Sequence, residues 1–120
     1  MSYKVLIVDD APFIREILIS FLETRDDIKE IKEAENGEEA LSFFESFSPD
    51  VIFMDIVMPK VSGIEATKKI RALNNKVPII GLSTLDQGDV INRLLDAGAN
   101  IFVKKPFTLD ELTKALEDVL

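Results

Sequence analysis

The stretch VLIVDDAPFIREILISFL, residues 5–22, joins an apolar run, two acids and an amphipathic segment. Val5, Leu6, Ile7 and Val8 are four consecutive apolar residues, the pattern of a strand buried on both faces. Ile14, Ile17, Leu18, Phe21 and Leu22 then recur at the i, i+3, i+4, i+7, i+8 spacing of one helix face, with Pro12 in the first turn. A buried strand, an acidic turn and a helix form the basic unit of an alternating α/β protein.

The same unit repeats along the chain. A weaker strand around Lys29 to Ala34 precedes Asn36-Gly37 and a helix carrying Ala40, Leu41 and Phe44. Val51-Ile52-Phe53-Met54 is the third strand, and Ile64, Thr67 and Ile70 mark the helix after Ser62-Gly63. Ile79-Ile80-Gly81-Leu82 precedes a helix with Val90, Ile91, Leu94 and Leu95, closed by Gly98. Ile101-Phe102-Val103 is the fifth strand, and Thr108 to Glu111 reads as a capping box opening a last helix with Leu112, Ala115, Leu116 and Val119 inside. Strict alternation predicts a parallel sheet covered by helices on both faces. Charges surround Ile31 in the second strand, which belongs at an edge; the other strands are more apolar. The predicted architecture is a doubly wound, flavodoxin-like α/β fold with five helices and strand order 2-1-3-4-5.

Composition narrows the chemistry. The 120 residues are 47% apolar and 30% charged, enough for one well-buried domain over residues 1–120, with no output domain expected. The net charge of -8 argues against a nucleic-acid groove or an anionic membrane surface. The opening apolar run is too short for a signal peptide or a membrane span, so a cytoplasmic location is expected. With no Cys and no His there are no disulfides, thiolate or imidazole metal sites, Ser-His-Asp triads or phosphohistidine carriers. What remains is carboxylates, lysine, hydroxyls and a hard metal.

In a doubly wound sheet, ligands bind beyond the carboxyl ends of the strands. Asp9 and Asp10 follow strand 1, Asp55 ends strand 3, Ser83 and Thr84 end strand 4, and Lys104-Lys105-Pro106 ends strand 5. Taken singly, each has an ordinary explanation: a helix-capping acid, a turn hydroxyl or a solvated edge. Their joint placement at the ends of four strands favours one pocket. Converging carboxylates need a cation, and oxygen ligands alone select Mg²⁺ or Mn²⁺. A nearby lysine and hydroxyl suit a phosphoryl group, and Asp55 on the middle strand is the candidate nucleophile for an acyl phosphate. The acid runs Asp26-Asp27 and Glu33 to Glu39 read as solvated faces or helix N-terminal charge, and Phe43, Phe44 and Phe47 as packing.

Six segments carry a family resemblance: VLIVDDAPFIR (5–15), AENGEEAL (34–41), PDVIFMDIVMPKVSGIE (49–65), PIIGLST (78–84), LLDAGANIFVKKPF (94–107) and LDELTKAL (109–116). In order and spacing the chain resembles a response-regulator receiver domain, with the single-domain flagellar-chemotaxis type the most similar in DDAPFIR. The resemblance implies a two-component signalling switch rather than a metabolic enzyme. Asp55 would accept a phosphoryl group from a histidine kinase. Asp10, Asp55 and the backbone carbonyl of Val57 would bind Mg²⁺ directly, and Asp9 through water. Lys105 would contact the phosphoryl group, before a cis Lys105–Pro106 bond. Ser83 would be the switch hydroxyl, with Thr84 beside it, and Phe102 the aromatic switch residue. The readout face, including Gln87, Val90, Ile91, Arg93, Leu94, Phe102 and Lys104, would control a downstream protein such as the flagellar motor, or pass phosphate along a relay.

Four positions depart from the family's usual residues. Thr84 stands where a small residue is usual and narrows access to Asp55. Val57 and Leu85, each two residues past a site residue, are apolar and cannot orient a water, which predicts slow self-dephosphorylation. Phe102 replaces the tyrosine familiar in chemotaxis regulators and has no hydroxyl to offer. Three rival readings are weaker. A Mg²⁺-dependent aspartyl-phosphate phosphatase needs a second acid at Val57. A flavin carrier needs a hydroxyl- and glycine-rich loop where DDAPFIR stands. A degenerate receiver, binding without phosphorylation, is disfavoured because every site position is filled.

Overall fold

The computed structural model describes residues 2–58, 61–74, 76–84 and 88–120. Strands β1 (Tyr3–Val8), β2 (Ile28–Ala34), β3 (Val51–Asp55), β4 (Ile79–Ser83) and β5 (Ile101–Lys104) alternate with helices. These are α1 (Pro12–Glu23), α2 (Gly37–Phe47), α3 (Gly63–Leu73), α4 (Gly88–Ala97) and α5 (Leu109–Val119). All strand pairs are parallel, in the order β2-β1-β3-β4-β5. The doubly wound architecture and the strand order expected from the apolar runs are what the chain adopts.

The period of two along each strand divides the interior into separate cores. Leu6, Val8, Ile52, Met54 and Ile79 pack beneath α2, α3 and α4 with Ala40, Ile64, Ile70 and Leu94. Val5, Ile7, Val51, Phe53, Ile80 and Leu82 pack beneath α1 and α5 with Leu18, Leu22, Leu112 and Leu116. β3 is buried at all five positions, whereas edge strand β2 has only Ala34 fully buried.

Local chemistry fixes the helix starts. Asn36 and Ser62 accept hydrogen bonds from the Glu39 and Glu65 amides, at 2.8 and 3.2 Å. Thr108 and Glu111 form the expected reciprocal box. Pro12 begins α1 with no side-chain cap.

Leu94 corrects one expectation. It was assigned to the readout face, but its side chain is fully buried. A Cβ built on Gly81 would lie 2.1 Å from Leu94 Cδ2, so the bare β4 backbone leaves the hollow that Leu94 fills. The neighbouring turns of α4 leave Arg93 exposed and Val90 and Ile91 half-buried. Gln87 of the same predicted face, and Leu85, lie outside the described residues.

Candidate functional site

Asp55 ends the central strand, and the chain turns sharply behind it. The Ile56 amide continues the ladder to the Leu82 carbonyl at 3.1 Å. The Gly63 amide then donates to the Ile56 carbonyl at 2.8 Å, folding the loop back. Any Cβ at Gly63 would lie 1.8 Å from the Asp55 carbonyl oxygen. Glycine here lets α3 start against the backbone that presents Asp55.

Asp9 stands beside it at the end of β1 and is fully buried. Its amide donates to the Ala34 carbonyl, and its Oδ1 accepts from the Ala11 amide at 2.9 Å. Asp10, the next residue, is exposed at the mouth of the same cavity. Oxygens from Asp9, Asp10 and Asp55 come within 4.8 Å of one another.

Lys105 closes the cluster from β5. Its amide donates to the Ser83 carbonyl at 2.7 Å, carrying the β4–β5 ladder one rung past the strand, and the Lys105–Pro106 peptide is cis. The register turns Lys104 outward and Lys105 inward. The Lys105 Nζ lies 2.6 Å from Asp9 Oδ2 and 3.2 Å from Asp55 Oδ1. Ser83 is buried beside this group, and Thr84 is exposed at its rim. Together with Ala11, Ile14, Ile56, Val57 and Pro106, these residues line a cavity of about 480 Å³.

Burial, and then the charge of Asp9, raises the Asp55 carboxyl to about 6; Lys105 opposes the rise. One lysine does not balance three converging acids, and their donor atoms are all oxygen. That donor set fits a hard divalent cation such as Mg²⁺.

The structure therefore gathers Asp9, Asp10, Asp55, Ser83, Thr84 and Lys105, with Val57 63% exposed at the edge. Phe102 lies apart on β5, paired with Gly81 and 38% exposed. One residue was not singled out from the sequence. Arg15 is buried on α1, donating from Nε to Glu33 at 2.8 Å and from Nη1 to the Asp9 carbonyl at 2.6 Å. The signal was available: Arg15 stands in line with Leu18 and Leu22, a cation in a buried stripe that needs partners. Glu33, read as part of a solvated acidic face, is that partner.

Comparisons with known proteins agree with this geometry. The chemotaxis protein CheY of Halobacterium salinarum is 38% identical over 120 residues, covering 100% of this chain and 98% of the relative. The solved CheY4 of Vibrio cholerae superposes with a TM-score of 0.91 at 32% identity, over 100% of both chains. CheY of Borrelia burgdorferi, solved in a complex with CheX, BeF3 and Mg²⁺, has a TM-score of 0.91 at 28% identity. That match covers 98% of this chain and 88% of the Borrelia one. The response regulator receiver domain family matches residues 5–117, and with the acids, the lysine and the sheet order in place, the chain belongs to that family.

Proposed function

We propose that this chain is a phosphorylation-dependent signalling switch whose phosphoacceptor is Asp55. The observation that carries this reading is Lys105 Nζ held between Asp9 and Asp55, with Asp10 alongside. At neutral pH Asp55 is mostly ionised, given a value of about 6, and is therefore nucleophilic. Its oxygen attacks the phosphorus of a phosphohistidine on a partner kinase. The P–O bond forms as the P–N bond breaks, and the departing imidazole takes up a proton. Asp9, Asp10 and Asp55, with the Val57 carbonyl, are the groups that would hold Mg²⁺, and the Mg²⁺ of the Borrelia complex supports that choice. When bound, the ion supplies positive charge to the phosphoryl oxygens. Lys105 turns its ammonium to the same oxygens.

The output follows from a biased two-state equilibrium. Ser83 is drawn toward the phosphoryl group, Thr84 moves with it, and Phe102 turns from its half-exposed position toward the sheet. This alters the surface of Val90, Ile91, Arg93, Phe102 and Lys104. A coupling of ~1–3 kcal/mol changes partner affinity about 5–150-fold. We read the downstream target as a motor-switch protein, since the full-length relatives are named chemotaxis proteins.

The test is intact-protein mass after incubation with acetyl phosphate or phosphoramidate. A single Mg²⁺-dependent phosphoryl adduct is expected, absent in Asp55→Asn. No adduct with either donor, together with no response to beryllofluoride, refutes the proposal.

A further inference from the structure

We infer that Arg15 is a positioning residue for the divalent cation, acting through the peptide that joins Asp9 to Asp10. The inference rests on the acidic pocket being a cation site. β1 and β2 pair in register through Val8 and Ala34, and the Asp9 amide adds one further rung to the Ala34 carbonyl. In a parallel ladder the next rung runs from the amide of residue 36 to the Asp9 carbonyl. The chain does not make it, because Asn36 has turned away to cap α2 and Glu35 donates its amide to Glu39. Arg15 Nη1 takes the place of the missing donor at 2.6 Å.

The guanidinium is itself fixed. Its side chain is 10% exposed and its Nε is paired with Glu33 on β2 at 2.8 Å. One planar fork thus ties α1 to both strands at the point where they part. Asp9 needs little of this help, since its carboxylate is also held by the Ala11 amide and Lys105. Asp10 needs all of it. Among the described residues no hydrogen bond holds its exposed carboxylate. Its direction is set by the backbone, and that backbone is the peptide whose oxygen Arg15 binds.

Geometry and charge predict opposite signs. Were Arg15 only a nearby positive charge, removing it would strengthen cation binding. As a positioning group, its loss weakens binding, as with partners that orient metal ligands.

The experiment is a Mg²⁺ titration of the whole chain, followed by the amide resonances of Asp10 and Ala11. Arg15→Gln should weaken Mg²⁺ binding ~10-fold, the lower end of the effect of lost ligand-orienting partners. Arg15→Lys should fall between, since an ammonium cannot serve both acceptors as the fork does. In an Asp10→Asn background the Arg15→Gln change should shrink to less than about twofold, because the group it positions is gone. Loss of folding stability, by contrast, should persist in that background. Equal or tighter binding by Arg15→Gln, or an undiminished loss with Asp10→Asn, overturns the inference. Should Arg15→Gln not fold, Arg15→Lys decides: wild-type affinity overturns the inference. Wild-type protein that binds no Mg²⁺ overturns the cation-site reading, and this inference with it.

Discussion

Replacing Asp55 with Asn should stabilise the metal-free protein at neutral pH. The folded structure raises this carboxyl from 3.8 to about 6, because it is buried beside Asp9. An acid with a raised folded value binds its proton more tightly folded than unfolded. Ionised Asp55 therefore costs nothing below pH 3.8; the penalty grows through the window up to about 6 and is complete above it. At 1.36 kcal/mol per pH unit, the full penalty is about 3 kcal/mol. Asparagine keeps the shape and an oxygen for Lys105, and removes the charge. For a domain of this size, ~3 kcal/mol corresponds to roughly 10 °C in Tm. The assay is thermal unfolding in EDTA at several pH values from 4 to 8, wild type beside Asp55→Asn. The advantage of the variant should be largest at pH 7–8 and nearly absent at pH 4. Mg²⁺ should narrow it by stabilising the wild type preferentially. An advantage independent of pH, or none at pH 7.5, would refute the electrostatic reasoning.

Removing the lysine should act in the opposite direction. Lys105→Met leaves the fully buried Asp9 without its cation, and should cost about 3–5 kcal/mol in urea unfolding without metal, partly recovered by Mg²⁺. Val57→Asn places a polar side chain at the exposed rim of the pocket. Its amide can orient the attacking water, and the variant should speed loss of the phosphoryl group by roughly 10-fold in a decay assay, the scale of one neutral hydrogen bond. Its stability should stay within about 0.5 kcal/mol of wild type. Leu94→Ala should cost about 2–5 kcal/mol in urea, because it empties the hollow over Gly81. Leu95→Ala, on the solvent side of the same helix, should change stability by less than about 0.5 kcal/mol.

The fold was legible because apolar runs such as Val51 to Met54 can be satisfied only inside a sheet covered on both faces. The charges around Ile31 were enough to send β2 to the edge. Asp9, Asp10, Asp55 and Lys105 were legible as a group because the carboxyl ends of parallel strands face one way. The difference between Asp9 and Asp10 was not: one is sealed and the other exposed, and that depends on where α1 crosses the strand end. Leu94 was misassigned because an amphipathic helix shows its stripe in the sequence, but the depth of each residue depends on the opposing surface. Here that surface is the bare backbone of Gly81, thirteen residues earlier on β4. Arg15 was missed because its partners, Glu33 and a backbone carbonyl, meet it only in three dimensions.

The complete burial of β3 has a consequence for how motion is shared across the sheet. A strand with neighbours on both sides and no exposed position belongs to the part of a domain that opens only on global unfolding. Its amides should therefore be among the slowest to exchange with deuterium, with or without a phosphoryl group on Asp55. Asp55 would then serve as a fixed post, and the displacement produced by phosphorylation would fall on the chain around it: the rim at Thr84, the outer strand bearing Phe102, and the exposed side of α4. Exchange rates that change there while β3 stays protected would show that chemistry and movement are assigned to different strands of one sheet.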